Sequence, residues 1–480
     1  MLAASAVVGV VGAAATQNGQ TISTFRLFCP AWFVVGILCV SLGSLQVFAS
    51  QSTGGDWISQ ASSPGRATAN LRQPNHLASL LLWSLIAAIW LAEARAVPRR
   101  IAQGMFVLLV FGVVLTASRT GIVGVLLLAA WSLLDKRLTA SSRVLLAGAP
   151  VVYALCWLAL AAWARFGDQV FIGQARLTGD GDLSSQRFAI WSNTLELIAR
   201  YPWFGVGFGE FNFAWTLTPF PDRPRQFFDH AHNLPLHLIA ELGIPLGALV
   251  LALLAYALWR AFAASREATG LEAITLRCAF MMVLMMALHS QLEYPLWYAY
   301  FLLPTALVFG LCLGGPARAA FAEEKPSRPR TRPLLIAGLL VMLGGFVAIY
   351  DYMKVVAIFA PREGAPPLAE RIAVGQRSWF FAHHAHYAAA TTAAHPSEVM
   401  RSFDHATHYL LDARLMIAWS RALAESGDLE RARHVAARLR EFHHPLGDAF
   451  FAVCDAKPLP SPPPFQCVAP TKAFDHRDFR

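Results

Sequence analysis

The chain has 480 residues and a formal net charge of +9, and 56% of its residues are hydrophobic while only 14% are charged. Soluble domains carry about 25% charged residues, so this composition excludes a soluble globular protein for most of the chain. Intrinsic disorder is excluded too, because it needs low hydrophobicity. Long continuous apolar runs indicate an all-α polytopic membrane protein and exclude a β-barrel, whose strands alternate with period two.

Nine apolar runs are long enough to cross, or nearly cross, about 30 Å of hydrocarbon. They lie near residues 31–50, 77–94, 101–117, 120–134, 144–163, 234–259, 275–290, 296–314 and 333–351. Segment 1–16 is also apolar but short, and the absence of a basic stretch before it argues against a cleavable signal peptide. The sequence therefore predicts nine or ten transmembrane helices.

Lysine and arginine positions predict which loops face the cytoplasm. Basic residues concentrate in alternate connections, namely 95–100, 135–143, 260–277 and 318–332, the last of which contains Arg318, Lys325, Arg328, Arg330 and Arg332. The remaining loops then face the outside, namely 51–76, the tight turn at 118–119, 164–233 and 290–295. No basic stripe of a nucleic-acid-binding domain is visible.

This topology predicts four segments, the last of which is a soluble helical tail on the outer side. The segments are N-terminal membrane helices at 1–163, a long periplasmic loop at 164–233, further membrane helices at 234–360 and the tail at 361–480. Within the tail, residues 411–443 have the spacing of two helices broken at Ser426-Gly427-Asp428, as in one tetratricopeptide-type hairpin. Its end is rich in proline and is expected to be extended.

Seven cysteines are scattered along the chain. Five of them lie in or beside apolar runs and are interpreted as small core residues. No Cys-x-x-Cys or Cys/His spacing typical of a zinc site occurs. Cys454 and Cys467, in the predicted periplasmic tail, would lie in an oxidising compartment and could pair.

The long outward loop contains a predicted helix that starts at Ser184-Ser185 and stops at Pro202. Its apolar face is expected to lie along the membrane surface. An arginine in the first turn, here Arg187, favours anion binding because the helix dipole and free N–H groups add to the guanidinium. An interfacial arginine without that role is the alternative. The Gly-x-Gly-x-Gly run that follows, at 205–209, predicts a tight turn rather than a nucleotide site.

The next motif, DHAHNLPLHLIAELG, begins at the mouth of a predicted span. A histidine at such a boundary, here His232, can act as a general base near neutral pH, with Asp229 expected to orient it and Asn233 beside it. The open alternatives are an interfacial polar residue or metal ligation by Asp229, His230 and His232. His237 and Glu241 share one helix face, as a functional or a structural pair.

Further polar residues occur in the other outward loops. They are Arg66, Arg72, Gln73, Asn75 and His76 before one span, Arg119 at the turn between two spans, and His289, Glu293, Tyr294 and Tyr298 in the short loop. An aromatic interface belt explains the tyrosines but not His289 and Glu293. Several arginines on one membrane face indicate a multiply charged anion at the bilayer surface, such as a lipid-linked diphosphate.

Five motifs together resemble the bacterial O-antigen ligase and polymerase superfamily, and within it the pilin-glycosylating O-oligosaccharyltransferases. They are RATANLRQPNH (66–76), SRTG (118–121), RFAIWSNTLELIARYPWFGVGFGEF (187–211), HAHNLPLHLIAELG (230–243) and HSQLEYPLWYAYF (289–301). The ligase pattern His-Asn-x9-Gly fits from His232 to Gly243 but departs at Leu246, where a small residue is usual. The family has more spans before its first motif, so we expect a shortened N-terminal part.

The resemblance implies transfer of a preassembled glycan from undecaprenyl diphosphate at the periplasmic face of the inner membrane. It assigns the leaving diphosphate to Arg119 and Arg187 and the base to His232, with supporting roles for Asp229, Asn233, His289, Glu293, Tyr294, Gln73 and Asn75. No cofactor or metal is expected, and direct displacement would invert the anomeric carbon. The expected partners are the lipid-linked donor, a pilin-like or other periplasmic acceptor protein and membrane lipids, with no nucleic acid.

Two alternatives compete with a protein acceptor. The same enzyme class could act on glycan acceptors, as an O-antigen ligase or polymerase does. A transporter or lipid-glycan flippase is the other class, but it should show internal repeats and broken helices at mid-membrane, and neither is visible in the sequence. The outward tail and the HSQLEYPLWY loop favour the protein acceptor through the family resemblance.

Overall fold

The protein is an all-α membrane protein, as the sequence predicts. The computed structural model describes residues 1–55, 57–167, 170–171, 173, 185–221, 223–315 and 331–479, and these contain helices and no β-strand. The chain forms two compact units. Unit 1 comprises Met1–Gly181 and Leu253–Leu339, and unit 2 comprises Asp182–Ala252 and Leu340–Arg480.

Eighteen α-helices follow one another along the described part of the chain. The first six are α1 (Leu2–Gln17), α2 (Thr21–Phe48), α3 (Pro74–Glu93), α4 (Arg99–Leu115), α5 (Arg119–Leu134) and α6 (Ala140–Phe166). The next six are α7 (Ser185–Arg200), α8 (Phe211–Leu217), α9 (Leu234–Glu267), α10 (Gly270–His289), α11 (Ala299–Leu313) and α12 (Thr331–Phe359). The last six are α13 (Leu368–Gly375), α14 (Ala382–Thr392), α15 (Met400–Ala406), α16 (Ala413–Glu425), α17 (Leu429–Glu441) and α18 (Pro445–Phe451).

Six helices of the described chain are long and apolar enough to cross a bilayer, namely α2, α3, α6, α9, α10 and α12. The other predicted spans form shorter helices: α1, α4, α5 and α11 have 16, 17, 16 and 15 residues. At 1.5 Å per residue these are about 22–26 Å long, below the roughly 30 Å of hydrocarbon.

Helix α3 forms the centre of unit 1, where 94% of its most apolar window is buried. Two tryptophans join it to α10 by hydrogen bonds: Trp83 Nε1 donates to Met282 O at 2.9 Å, and Trp90 Nε1 donates to Thr275 Oγ1 at 2.9 Å. Helices α1 and α11 approach through small residues, because a Cβ on Gly12 would lie 2.3 Å from Leu307 O. Close contacts of this kind are how membrane helices gain packing energy.

Loops that the sequence assigns to the same side meet within unit 1. In the predicted cytoplasmic loops, Arg137 Nη1 donates to Arg266 O and Ala268 O, each at 3.1 Å, and Arg277 pairs with Asp135 at 2.7 Å. The predicted outward loops meet through Asn75, whose side chain contacts both Ser118 and Glu293. The last predicted cytoplasmic loop, with Arg318, Lys325, Arg328 and Arg330, lies outside the described residues.

In unit 2 the predicted hairpin forms as expected, with α16 and α17 separated at Ser426 to Asp428. Gly427 has a φ of +87°, and the Asp428 side chain caps α17 by accepting from Arg431 N at 3.2 Å. The hairpin shares a core with α8, in which the rings of Trp215 and Phe442 lie 5.5 Å apart. Beyond the hairpin, a disulfide joins Cys454 to Cys467, the pair that the sequence suggests.

Candidate active site

Asn75, at the start of α3, links three outward loops of unit 1. Its Nδ2 donates to Glu293 Oε1 at 2.9 Å, and its Oδ1 accepts from Ser118 Oγ at 2.7 Å. Ser118 in turn caps α5 by accepting from Gly121 N at 3.1 Å. One amide side chain therefore fixes the ends of α3 and α5 relative to the loop that follows α10.

Next to Asn75 lies a group of two buried histidines and three tyrosines that are half-buried or exposed. His76 Nδ1 lies 2.7 Å from Tyr300 Oη, and its ring lies 4.5 Å from the Tyr298 ring. His289 Nδ1 lies 2.7 Å from Ser79 Oγ, which joins α10 to α3. Tyr294 belongs to this group, with its ring 5.8 Å from that of Tyr298. The two polar residues that the interface-belt interpretation left unexplained, His289 and Glu293, thus both hydrogen-bond to α3, through Ser79 and Asn75.

Gln73 and Arg119 occupy the starts of α3 and α5. The Gln73 Oε1 accepts from His76 N at 2.8 Å, so its side chain serves as the cap of α3. Arg119 is the first residue of α5 and its side chain is exposed. Within the described part of the chain it makes no hydrogen bond or ion pair. A guanidinium at a helix N-terminus is suited to an anion.

The second group of predicted residues lies in unit 2, in the loop 228–233 before α9. His232 has a φ of +52°, the left-handed conformation, and its ring stacks on His230 with centroids 4.4 Å apart. The loop is held by α7, whose Trp191 Nε1 donates to Ala231 O at 3.0 Å. Asn233 caps α9 by accepting from Leu236 N at 3.0 Å. The backbone on both sides of His232 is therefore fixed.

The surroundings of His232 keep its imidazole neutral. Burial lowers the pKa of His232 to about 3, and the positive charges of His230 and Arg187 act in the same direction. The Nδ1 atom of His232 lies 3.3 Å from the carbonyl oxygen of His230. Because a carbonyl oxygen can only accept a hydrogen bond, Nδ1 carries the proton and Nε2 carries the lone pair. Between about pH 6.5 and pH 3, His232 is protonated in the unfolded chain but stays neutral in the folded protein. Lowering the pH through this range therefore destabilises the folded loop.

One expectation for this loop is corrected. The sequence predicts that Asp229 orients His232, but its carboxylate pairs with His230. The ring of His230 lies against that of His232, with centroids 4.4 Å apart. The reason is that the left-handed backbone at His232 reverses the chain and folds the two rings together. Asp229 therefore pairs with His230, and its negative charge also acts on His232, whose pKa it raises.

His237 and Glu241 form a buried pair one turn apart on α9, with His237 Nε2 3.3 Å from Glu241 Oε1. His237 Nδ1 also accepts from Ala231 N at 3.4 Å, and Glu241 Oε1 accepts from Phe211 N at 3.3 Å. The pair therefore ties the His232 loop and the start of α8 to α9, which is a structural task.

The glycine run forms the predicted tight turn, and it closes a break in α9. Gly205, Gly207 and Gly209 all have positive φ, and Val206 N donates to Ala240 O at 2.9 Å. At the break, Gly243 has a φ of +79°, and Ile244 N donates to Pro202 O at 2.7 Å. The glycine of the ligase pattern therefore allows the turn and α9 to touch backbone to backbone.

Helix α7 ends at Arg200, just before Pro202, as predicted, but its predicted apolar face is divided. Phe188 and Leu195 stay exposed, whereas Trp191 and Ile198 pack against the core of unit 2. Ser184, predicted as part of the cap, lies outside the described residues. The role of Trp191 in holding Ala231 was missed, because an apolar pattern does not show where an indole N–H points.

No group of three or more His, Cys, Asp or Glu side chains that could hold a metal ion occurs among the described residues. Each unit thus holds one group of predicted site residues. Unit 1 contains Gln73, Asn75, Arg119, His289, Glu293 and Tyr294, and unit 2 contains Arg187, Asp229, His232 and Asn233. Unit 2 thus offers a neutral imidazole and an arginine at a helix start, and unit 1 offers a second arginine at a helix start and polar side chains joined by hydrogen bonds.

Three protein families match successive segments of the chain. Protein glycosylation ligase matches residues 67–92, O-antigen ligase matches 104–252, and the C-terminal part of virulence factor membrane-bound polymerase matches 278–453. The matched segments include every residue to which the resemblance assigns a role in the site. They confirm the predicted resemblance to the O-antigen ligase and polymerase superfamily, including its protein glycosylation ligases.

Two curated relatives from Acinetobacter baylyi are similar to the chain. A general O-oligosaccharyltransferase is 26% identical over 306 residues, which cover 61% of this chain and 50% of the relative. A ComP-specific O-oligosaccharyltransferase is 26% identical over 257 residues, which cover 51% of this chain and 44% of the relative. The chain therefore spans about half the length of the curated relatives it matches. No solved structure matches the chain.

Proposed function

We propose that the protein transfers a preassembled oligosaccharide from undecaprenyl diphosphate to a Ser or Thr hydroxyl of a periplasmic or pilin-like protein. The reaction takes place at the periplasmic face of the bacterial inner membrane and needs no metal. The observation that carries this proposal is the neutral His232 imidazole beside the charge of Arg187, in the loop that begins a membrane-spanning helix. The named activity of the relatives supports the same reaction class.

The acceptor hydroxyl oxygen attacks the anomeric carbon, and the bond from that carbon to the diphosphate oxygen breaks. His232 Nε2 accepts the hydroxyl proton, because Nδ1 is engaged with His230 O. The electron pair of the broken bond leaves on the diphosphate, which two arginines neutralise without a metal ion. Attack from the face opposite the leaving group inverts the configuration of the anomeric carbon.

A pKa near 3 makes His232 a weak base in the resting protein, and donor binding reverses one cause of that low pKa. Arg187 contributes to the low pKa through its positive charge. A diphosphate bound to Arg187 offsets this charge and raises the pKa of His232, so the base strengthens when the donor is in place.

Replacing His232 separates a catalytic from a structural role. His232→Ala should insert and bind lipid-linked donor normally, but lose about 10²–10⁴ in transfer rate, the usual contribution of a general base. Donor binding and glycan transfer are measured on the same purified variant. His395→Ala, an exposed histidine of the same unit, is the matched control and should transfer at the normal rate.

Normal transfer by His232→Ala would remove the base assignment. Loss of donor binding in proportion to loss of transfer would assign His232 to holding the loop instead. Because His230 stacks on His232, its replacement by alanine should also reduce transfer, though less than loss of the base itself.

A second candidate is transfer to a glycan acceptor such as the lipopolysaccharide core. It is supported by the O-antigen ligase match, which covers Arg119, Arg187 and His232. Co-expression with a lipid-linked glycan pathway and a candidate pilin separates the two. Glycan on a pilin serine supports the protein acceptor, whereas glycan on the lipid A core alone supports the ligase.

A further inference from the structure

A groove on the outer surface of the helical tail is not used by the chemistry described above. It lies between α14 and α16 in unit 2 and has a volume of about 300 Å³. Its lining includes three alanines, Ala390, Ala393 and Ala418, with Pro396 and Leu446 at its sides. Small side chains leave room for a polypeptide backbone rather than for a bulky ring. We call this the α14–α16 groove.

Two arginines line the α14–α16 groove, and among the described residues neither lies at salt-bridge distance from a carboxylate. Arg414 and Arg421 are both exposed, and seven residues on one helix put them on one face, about 10 Å apart. The Arg421 guanidinium lies 5.5 Å from the centre of the Phe450 ring, which fixes its position. Neither arginine makes a hydrogen bond or ion pair with the residues that the structure describes.

The carboxylates nearest in sequence make their hydrogen bonds elsewhere, although the charge of Arg421 also acts on Glu425. Asp412 accepts from Tyr387 Oη at 2.8 Å and caps α16 through Leu415 N at 2.9 Å. Glu425 accepts from Ser397 N at 3.0 Å, and this contact lowers the pKa of its carboxyl. Both acids therefore hold the fold of the tail, and the two guanidinium groups remain available to a negatively charged partner.

We propose that the α14–α16 groove binds an extended acidic segment of the acceptor protein, with carboxylates three residues apart. This rests on the proposed function, because it names how a protein acceptor is held. In the polyproline II conformation, residues i and i+3 lie on one face about 9 Å apart, which matches the arginine spacing. The alanine lining accommodates small residues between the two acids, and each carboxylate pairs with one guanidinium.

Direct binding tests the groove without any transfer reaction. The full chain in nanodiscs is titrated with the labelled peptide Glu-Ala-Ala-Glu and with Lys-Ala-Ala-Lys. The acidic peptide should bind, and Arg414→Gln with Arg421→Gln should weaken it about tenfold, the combined effect of two partly exposed ion pairs. Arg377→Gln with Arg401→Gln removes the same charge from exposed sites on the same unit and should change nothing.

Three outcomes would overturn the proposal. Equal binding of the acidic and basic peptides excludes the arginine pair as the recognition element. Arginine-dependent binding of phosphatidylglycerol vesicles without peptide binding assigns the surface to lipid. An unchanged KM for an acceptor protein carrying the acidic pair shows that the groove does not hold the acceptor.

A raised KM in the Arg414 and Arg421 variant, with donor binding intact, supports the proposal. Failure of the proposed function looks different, because no transfer would then occur in the unaltered chain. Peptide binding would still report on the groove in that case.

Discussion

Arg119 and Arg187, the arginines that we assign to the donor diphosphate, lie in different surroundings. Arg119 is exposed at the start of α5, whereas Arg187 lies in the first turn of α7, where its charge reaches His232. Both are near free N–H groups of a helix start, so each can offer a planar fork to a phosphate oxygen pair. Lysine at either site keeps the charge but loses the fork.

Arg119→Lys and Arg187→Lys should each reduce glycan transfer by about tenfold to a hundredfold, the loss expected for one charge-assisted bidentate contact. Transfer and donor affinity are measured with lipid-linked donor in nanodiscs. Arg99→Lys is the control, because Arg99 lies at the start of α4 on the predicted opposite side of the membrane. This variant should leave glycan transfer and donor affinity unchanged. Full activity of both site variants would contradict the diphosphate assignment.

The sequence proposes candidate site residues, but it does not predict how their side chains contact one another. His232 follows from its motif and its place before a span. Its left-handed backbone does not, because a non-glycine residue with positive φ is imposed by tertiary contacts rather than by local preference. For the same reason, the pairing of Asp229 with His230 could not be anticipated.

Among the elements, the contact between the glycine turn and the break in α9 is the most constrained. A Cβ on Gly243 would lie 2.3 Å from Trp203 O, and a Cβ on Gly205 would lie 2.4 Å from the carbonyl of Glu241. Main-chain atoms cannot move aside as a side chain can. The turn therefore requires glycine at both positions for space as well as for positive φ.

Gly243→Ala should destabilise the protein by about 2–4 kcal/mol, the sum of the left-handed penalty and a backbone clash. Gly209→Ala is the matched control, because Gly209 has a similar φ of +81° but open space at its Cβ. It should cost only about 1–2 kcal/mol. Thermal unfolding in detergent, followed by Tm, compares the two; equal losses of Tm would show that the close contact is unimportant.

Helix type and many ends are predictable from the sequence because they depend on local signals. Pro202 stops α7, and Gly427 with Asp428 separates α16 from α17. The start of α2 at Thr21, ten residues before the predicted 31, is not predictable from hydropathy, because polar residues such as Ser23 and Arg26 continue the helix. The division of the α7 face similarly depends on partners far along the chain.

For the whole molecule, the sequence correctly predicts the all-α membrane class, but it does not predict the grouping into two units. Residues 182–252 and 340–480 form one unit through contacts such as His408 Nδ1 with Glu210 Oε2 at 2.8 Å, and Leu411 N with Asn212 Oδ1 at 2.7 Å. These join positions about 200 residues apart, and no periodicity in a single sequence encodes such pairs.

The tail is expected in the periplasm, since one span follows the last basic loop. Alkaline phosphatase fused after Arg480 should be enzymatically active, whereas β-galactosidase fused at the same place should be inactive. The opposite pattern is expected for fusions after Lys325, which serve as the control. Cys454 and Cys467 should resist alkylation in non-reducing mass spectrometry. A cytoplasmic tail would reverse the side of every assigned motif.

The backbone contact between the glycine turn and α9 controls how the amides of this region exchange with solvent. The amide hydrogens of Val206 and Gly207 are donated to carbonyls of α9, and that of Ile244 is donated to Pro202 of the turn. None of the three can exchange with solvent deuterium while the two backbones touch. These amides therefore exchange together, in a single event that separates the turn from the helix, although they lie almost forty residues apart along the chain.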